Sequence, residues 1–242
     1  MNAIELNGLT KCYKKIVAVD QLTLAVQEGE LFSLLGVNGA GKTTTIRMLS
    51  CLTSPTEGDA YLFGHSIRTE AAAVKTMIAV SPQETAIARG LSARENLALM
   101  YGVHGFSKDK RHAKIREVTE LLNLQSILER KAGKLSGGWQ RRLSIAMALI
   151  SEPKILFLDE PTLGLDVLAR SELWDTIRAL KGKVTVLLTT HYMEEADALS
   201  DRIAIMKDGK LLVCDTPAEI KRMTGTEDME QAFIRTVKEG NV

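Results

Sequence analysis

The sequence predicts an α/β fold with a mixed core sheet, an antiparallel β portion near the N-terminus and an inserted helical subdomain. Three observations predict it. Short apolar runs typical of buried strands recur along the chain, and a glycine-rich loop joins one of them to a helical pattern. The stretch from about residue 90 to 133 has helical periodicity alone. We expect a single domain over residues 1–242, with the helical subdomain at about 84–145.

The composition is that of an ordinary globular protein and excludes some functions. Basic residues number 31 and acidic residues 30, so the net charge of +1 creates no overall field for nucleic acid, and no nucleic-acid partner is expected. Apolar runs such as residues 184–188 are too short to span a bilayer, and the N-terminus lacks the pattern of a signal peptide. The three cysteines form no C-x-x-C pair, which favours reduced thiols in a cytoplasmic protein.

Two strands are predicted before the glycine-rich loop. Residues 22–27 alternate in the period-two pattern of a half-buried strand, and Gly29 ends this pattern. Residues 30–35 form a more apolar run that leads directly into the loop, and residues 45–52 then have helical spacing. A nucleotide-binding α/β unit has this order of strand, loop and helix.

The loop itself matches the complete P-loop pattern, G-x-x-x-x-G-K-T, over residues 36–43. Its glycines let backbone N–H groups turn toward phosphates at a helix N-terminus, where the helix dipole favours negative charge. Lys42 would reach the β- and γ-phosphates of ATP, and the Thr43 hydroxyl would ligate Mg²⁺. The alternative, a glycine turn with an incidental lysine, does not explain the flanking strand and helix. The predicted ATP-binding residues here are Gly36, Val37, Asn38, Gly39, Ala40, Gly41, Lys42, Thr43 and Thr44.

Helices are predicted in the insert that follows. Ser92 and Glu95 have the spacing of a capping box ahead of an apolar pattern. Ile115, Val118 and Leu122 repeat at three- and four-residue spacing with charged residues between them, as in an amphipathic helix.

Strand patterns return in three apolar runs, at residues 155–158, 184–188 and 203–206. Asp208-Gly209 is a hairpin turn signal between the last of these runs and the apolar residues 211–213. From Pro217 onward we expect helix.

Two acids, Asp159 and Glu160, directly follow the apolar run 155–158. A buried parallel strand is apolar on both faces, and α/β sheets bind ligands at the carboxyl ends of such strands. We therefore expect Asp159 to hold Mg²⁺ and Glu160 to polarise the attacking water. Surface acids often follow a buried strand, so this interpretation depends on the P-loop upstream.

Leu135-Ser136-Gly137-Gly138 precedes a helical pattern. With the motifs above, it makes the chain resemble the nucleotide-binding subunits of ABC transporters over essentially its whole length. The resemblance implies a P-loop NTPase of the ABC type that hydrolyses ATP in a head-to-tail dimer. Ser136, Gly137 and Gly138 would contact the γ-phosphate held by the P-loop of a second subunit, because a hydroxyl and amides at a helix N-terminus form an anion site. The alternative is that the glycines only end one helix and begin the next.

Four further positions resemble motifs of the same family. Gln83 resembles the glutamine that touches Mg²⁺ and faces the permease, and His191 resembles the switch histidine that contacts the γ-phosphate. Tyr13 resembles the aromatic residue that stacks on adenine, and Asp166 resembles the D-loop aspartate at the dimer seam. Each has an alternative reading. The glutamine could be solvated, the histidine could lie in the core, and the tyrosine could be a strand residue.

Two positions depart from the family pattern. Trp139 stands where many relatives have Gln or Met, and Leu163 occupies a site that is often Ser. A serine hydroxyl can hydrogen-bond across the dimer and Leu163 cannot, so we expect a different contact between subunits there. No long C-terminal regulatory domain of the kind found in sugar-importer ATPases is expected.

Residues 58–65 and 190–197 resemble the branch of antibiotic-resistance and sodium-extrusion ATPases, in which the permease is a separate chain. This implies export through an integral-membrane permease that holds the subunit at the cytoplasmic face, with a second ABC ATPase subunit, either itself or a paralogue. A non-transport ABC ATPase is the alternative, although no coiled coil separates the P-loop from Ser136 and the chain carries one ATPase unit. A plain P-loop kinase would leave Ser136 and His191 unexplained.

Overall fold

The computed structural model describes residues 1–239. In chain order its strands are β1 (Asn2–Tyr13), β2 (Ile16–Gln27), β3 (Leu31–Leu35), β4 (Glu57–Leu62), β5 (His65–Ser66), β6 (Ile78–Ser81), β7 (Ile155–Asp159), β8 (Thr185–Thr190), β9 (Arg202–Lys207) and β10 (Lys210–Asp215). Its α-helices are α1 (Lys42–Leu49), α2 (Ala71–Met77), α3 (Ala93–Val103), α4 (Arg111–Leu121), α5 (Gly137–Leu149), α6 (Val167–Arg178), α7 (Met193–Leu199), α8 (Pro217–Thr224) and α9 (Met229–Glu239).

The strands form two sheets. An antiparallel sheet has the order β2-β1-β4-β5, and the core sheet has the order β10-β9-β3-β8-β7-β6. All neighbours in the core sheet are parallel except β9 and β10, which the turn at Asp208 and Gly209 joins as an antiparallel hairpin. The predicted mixed core sheet, N-terminal antiparallel portion and hairpin are confirmed.

Both faces of the core sheet are covered by apolar groups. On β3, Phe32 and Leu34 pack with the antiparallel sheet and α1, whereas Leu31 packs on the opposite face. On β7, Phe157 faces the antiparallel sheet and Leu156 faces the helices. These strands are apolar at consecutive positions because both of their faces are buried.

The inserted helices α3, α4 and α5 lie between β6 and β7 in the chain. Ser92 caps α3 by accepting a hydrogen bond from the Glu95 amide, and the Glu95 side chain accepts one from the Ser92 amide, so the predicted capping box is confirmed. Residues 82–92 precede the helices as a loop, and α5 continues to Leu149 because its buried face packs on the core sheet. The helices of the insert thus run from Ala93 to Leu149, where a helical subdomain was expected at about 84–145.

Other local predictions differ from the structure at particular residues. Helix α1 begins at Lys42 and not at residue 45, because Gly41 (φ +101°) leads directly into its first turn. The long strand β1 was not predicted. Gly8, at φ +59°, lies where its register with β2 shifts, and this breaks the period-two pattern. Within residues 1–239, no helix is both long enough and apolar enough to cross a bilayer.

Candidate nucleotide site

Three loops start at one edge of the core sheet. Strands β3, β8 and β7 are adjacent and parallel, and their register pairs Leu35 with Thr190 and Thr189 with Asp159. Because the three strands end level, the P-loop, the predicted acids and the predicted switch histidine all begin at this edge. The sheet thereby brings together motifs that are more than a hundred residues apart.

A cavity of about 490 Å³ lies at this edge, a size suited to a small-molecule ligand. Tyr13, at the end of β1, is one of its lining residues and is 43% exposed. The residues that line it are Tyr13, Ala18, Asn38, Gly39, Ala40, Gly41, Lys42, Thr43, Thr44, Gln83, Glu160, Leu163 and His191.

The backbone of the P-loop depends on its glycines. Gly39 and Gly41 have φ values of +86° and +101°, which other residues rarely adopt. A Cβ atom on Gly41 would also lie 2.5 Å from the Ala18 carbonyl oxygen. No side chain caps the N-terminus of α1, so amides of its first turn point at the cavity without a side-chain partner. Such amides suit an anionic ligand.

Lys42 extends back over the loop, and its side chain is only 4% exposed. Its Nζ atom donates to the carbonyl oxygens of Gly36 at 2.7 Å and Val37 at 3.2 Å, and lies 3.6 Å from Glu160 Oε1. Burial lowers the pKa of Lys42, and the neighbouring Glu160 carboxylate opposes that change. Gly36 and Val37 do not line the cavity themselves. They affect the site by holding the Lys42 ammonium through their carbonyl oxygens.

Oxygen ligands of the kind that Mg²⁺ prefers lie at Thr43, which lines the cavity, and at Asp159, which lies directly behind Thr43 and is not part of the lining. The Thr43 hydroxyl donates to Asp159 Oδ1 at 3.1 Å, and the Thr189 hydroxyl donates to the same oxygen at 2.6 Å. Among the described residues there is no cluster of three or more His, Cys, Asp or Glu side chains that could hold a metal ion. The Thr43 hydroxyl and the Asp159 carboxylate are few ligands. They fit an ion such as Mg²⁺, most of whose other ligands are usually phosphate oxygens and water. Gln83, the third predicted metal ligand, is an exposed residue of the cavity lining.

Glu160 and His191 form the wall beside Lys42. The Glu160 backbone has a φ of +46°, and its amide donates to the Thr189 carbonyl oxygen at 3.1 Å. Its Oε2 atom lies 3.2 Å from His191 Nδ1, so the carboxylate contacts the lysine through one oxygen and the histidine through the other. A base in this position could orient a water molecule that enters the cavity.

The remaining predicted residues lie outside this cavity. Ser136 is the exposed N-cap of α5, and its hydroxyl makes no capping hydrogen bond. Gly137 lines a separate cavity of about 400 Å³, and Gly138 packs so closely that a Cβ there would lie 3.0 Å from Ala169 Cβ. Asp166 caps α6 by accepting a hydrogen bond from the Ala169 amide at 2.9 Å. The signature residues and Asp166 thus do not line the P-loop cavity of their own chain.

The sequence analysis missed several residues of the site. Thr189 holds Asp159 and the Glu160 amide, and Ala18 and Leu163 line the cavity. Arg141 donates to the carbonyl oxygens of Pro82 at 2.7 Å and Gln83 at 2.5 Å and so fixes the backbone of the glutamine. Only Leu163 had a local signal, since it departs from the D-loop pattern.

Comparisons with known proteins agree with this geometry. The sequence profile of the family described as ABC transporter matches residues 19–163. The chain is 42% identical over 225 residues to the daunorubicin/doxorubicin resistance ATP-binding protein DrrA of Streptomyces peucetius, a match covering 93% of the chain and 68% of that relative. It is 38% identical over 240 residues to the probable multidrug ABC transporter ATP-binding protein YbhF of Escherichia coli, a match covering 97% of the chain and 41% of that relative.

Solved structures are similar over most of the chain. A structure described as the ATP binding subunit of an ABC transporter has a TM-score of 0.84 at 26% identity, covering 98% of this chain and all of the other. The cassette MJ0796, in a dimeric post-hydrolysis state bound to ADP and Pi, has a TM-score of 0.77 at 28% identity and covers 88% of this chain and 98% of the other.

Proposed function

The chain belongs to the ABC transporter family, and from that premise we propose that it is an ATP-binding subunit that hydrolyses Mg-ATP to drive export. The observation that carries the proposal is a single cavity that contains the P-loop lysine, an acid and a histidine at the carboxyl edge of a parallel sheet. The two relatives named above, a drug-resistance ATP-binding protein and a probable multidrug transporter ATP-binding protein, support export as the direction of transport.

ATP binds with its phosphates at the N-terminus of α1. The amides of the P-loop and the Lys42 ammonium neutralise the charge of the phosphates, and the exposed Tyr13 ring stacks on the adenine. Phosphate oxygens take the place of the Gly36 and Val37 carbonyl oxygens as partners of Lys42. Binding therefore replaces neutral contacts of the ammonium with charge-assisted ones.

Thr43, Asp159 and Gln83 would hold Mg²⁺ between them and the phosphates. When bound, the ion offsets the negative charge that the terminal phosphate carries during transfer. Thr189 keeps the Asp159 carboxylate in place through its 2.6 Å hydrogen bond.

Glu160 orients the attacking water and accepts its proton, and His191 contacts the γ-phosphate. The two side chains already touch, at 3.2 Å, so the base and the phosphate sensor act on the same small volume. Bringing water, base and phosphate into one geometry is the main protein contribution to phosphoryl transfer.

Ser136, Gly137, Gly138 and Asp166 act on the nucleotide of a second subunit. The Ser136 hydroxyl is exposed at a helix N-terminus and lies outside the cavity of its own chain. In a head-to-tail dimer it would close over the γ-phosphate that the partner holds. The solved cassette MJ0796 is described as dimeric, which supports this assembly.

An integral-membrane permease is the other partner. We propose that the subunit lies at the cytoplasmic face of the membrane and that it contacts a separate permease chain near Gln83. Its second ATPase subunit is either an identical chain or a paralogue.

The test has two parts. Purified protein should release phosphate from ATP only when Mg²⁺ is present, and EDTA should abolish the release. Next, the protein should co-purify from its native source with an integral-membrane permease. Vesicles that contain both should transport a substrate away from the side that carries this subunit, and only when ATP is present on that side. Hydrolysis without any such membrane partner would favour a non-transport ABC ATPase.

A further inference from the structure

Glu195, on α7, is a buried acid that the proposed mechanism does not use. The residue is fully enclosed, with 0% exposure. Its Oε1 atom accepts a hydrogen bond from the Trp174 indole on α6 at 3.2 Å. An apolar side chain could fill this space without the cost of burying a carboxyl group, so the carboxyl contributes directional contacts that packing alone would not supply.

The groups around Glu195 come from segments that carry site residues. Burial raises the pKa of Glu195, whereas the hydroxyls of Thr190 and Thr162, the Trp174 indole and Arg170 lower it. Thr190 directly precedes His191 at the end of β8. Thr162 lies in the loop between Glu160 and Asp166, so one carboxyl group faces both segments.

The turn that carries His191 is tied to this position. The Thr190 hydroxyl accepts a hydrogen bond from the Tyr192 amide at 2.9 Å. The Arg170 guanidinium lies 4.7 Å from the centroid of the Tyr192 ring, and that ring lies 4.2 Å from the His191 ring. Arg170 and Trp174 both lie on α6, so this helix connects the carboxyl group of Glu195 with the histidine.

Several polar atoms in this region make no hydrogen bond of normal length and angle. They are Glu195 Oε2, Thr162 Oγ1, Arg170 Nε and His191 Nδ1. In the part of the chain that the structure describes, only one other buried side-chain atom is in this condition. Glu195 therefore has one hydrogen bond of normal geometry, the bond to Trp174, and its other polar neighbours act on it through proximity and charge.

We propose that Glu195 is a positioning residue: its hydrogen bond to the Trp174 indole fixes α7 against α6, and the same carboxyl group faces the hydroxyls of Thr190 and Thr162. It does not touch the nucleotide. Its effect is to keep His191 against Glu160 on one side and to fix the start of α6, which carries Asp166, on the other. The expected effect on kcat rests on the proposed ATP hydrolysis. The expected coupling between Trp174 and the His191 turn rests on geometry alone.

A fluorescence experiment tests the structural consequence. The chain has two tryptophans, so Trp139→Phe leaves Trp174, whose indole bonds Glu195, as the only tryptophan reporter. In this background Mg-ATP should shift the Trp174 emission, because the His191 turn moves against the nucleotide and Glu195 moves with it. Glu195→Leu should abolish the shift while nucleotide affinity changes by less than about threefold, since the phosphate contacts are intact. A shift of equal size in both proteins would overturn the proposal.

A kinetic experiment tests the functional consequence. Glu195→Gln, which keeps the shape of the side chain, should lower kcat by about 10- to 100-fold, the range that misplacement of a reacting group produces, with KM for ATP little changed. Glu194→Gln, an exposed acid on the same helix, is the matched control and should leave kcat as in the wild type. In a His191→Ala background, Glu195→Gln should lower kcat no further. Independent, multiplicative losses would mean that Glu195 does not act through His191.

Two further comparisons separate positioning from simple stability. Thr162→Val removes one buried hydroxyl with little change in shape and should also lower kcat. If Glu195→Leu lowers the melting temperature and kcat while Glu195→Gln and Thr162→Val retain wild-type kcat, the residue is structural only. Should the wild type bind Mg-ATP without hydrolysing it, the proposed function fails, and the Trp174 comparison still decides this inference.

Discussion

Lys42 and Glu160 form an ion pair inside the nucleotide cavity, with 3.6 Å between Nζ and Oε1. Both side chains are largely buried, so their attraction is stronger than that of an exposed pair. Phosphate oxygens that bind Lys42 compete with Glu160 for the same ammonium. The proposed general base would therefore also compete with the substrate, and we expect its removal to have opposite effects on ATP binding and on hydrolysis.

Glu160→Gln is expected to slow hydrolysis by about 10²- to 10⁴-fold, the usual contribution of a positioned base. Its affinity for ATP should be equal to that of the wild type or higher, because the competing charge is gone. Turnover of radiolabelled ATP and equilibrium binding measure the two quantities separately. Turnover close to wild type would remove Glu160 from the mechanism.

Lys42→Ala should weaken ATP binding as well as hydrolysis. The substitution deletes the P-loop cation and leaves the Glu160 carboxylate buried without it. A hydrogen bond to a charged group contributes roughly 1.5–3 kcal/mol, which corresponds to a dissociation constant about 10- to 150-fold higher. Lys15→Ala, at an exposed position, serves as the control. Titration calorimetry should compare the wild type, Lys42→Ala and Lys15→Ala. Equal ATP affinities for all three would mean that the loop amides bind the phosphates without help from Lys42.

Arg141→Lys should lower turnover more than Arg142→Lys does. Arg141 is 5% exposed and its two N–H groups hold the carbonyl oxygens of Pro82 and Gln83, a fork that one ammonium cannot reproduce. Each lost buried hydrogen bond costs about 1–3 kcal/mol.

The neighbouring Arg142 makes a matched comparison. It stacks on Trp139 and pairs with Glu172, an exposed acid, so a lysine can keep much of the interaction. ATPase rates and melting temperatures of both variants should be measured together. Equal losses of turnover at equal stability would argue against a special role for the Gln83 backbone.

Hydrolysis should require two chains, because Ser136 lies outside the cavity of its own chain. Specific activity should therefore rise with protein concentration, and Glu160→Gln should sediment as a dimer with Mg-ATP and as a monomer without it.

Mixing two inactive variants examines the same point. Lys42→Ala and Ser136→Arg should each be inactive alone, whereas the mixed dimer keeps one site with both an intact P-loop and an intact signature. Recovery of activity would support the composite site. If both sites must act together, the mixture stays inactive, and the dependence of specific activity on concentration decides the point. A specific activity independent of concentration, with only monomer in sedimentation, would contradict it.

Contiguous motifs could be predicted from the sequence, and long-range contacts could not. The P-loop, Asp159 and Glu160 are local patterns beside apolar strands, so their positions at the sheet edge follow from elementary rules. Thr189 and Arg141 act on residues 30 and 58 or more positions away, and no local pattern records such contacts. Tyr13 is the last residue of β1 and also lines the cavity, so its place in a strand is compatible with its predicted stacking on adenine.

The position of β8 between β3 and β7 has a consequence for the lifetime of the site. The amides of Gly36 and Glu160 donate to carbonyl oxygens of this central strand, so their protons can exchange with solvent only when the core sheet opens as a whole. The carbonyl oxygens of Pro82 and Gln83 accept hydrogen bonds from the Arg141 side chain and not from a strand, so we expect this part of the loop to open by itself. In a hydrogen-exchange experiment, the amides of Gly36 and Glu160 should therefore exchange only at the rate of global unfolding. Amides of the loop around Gln83 should exchange much faster.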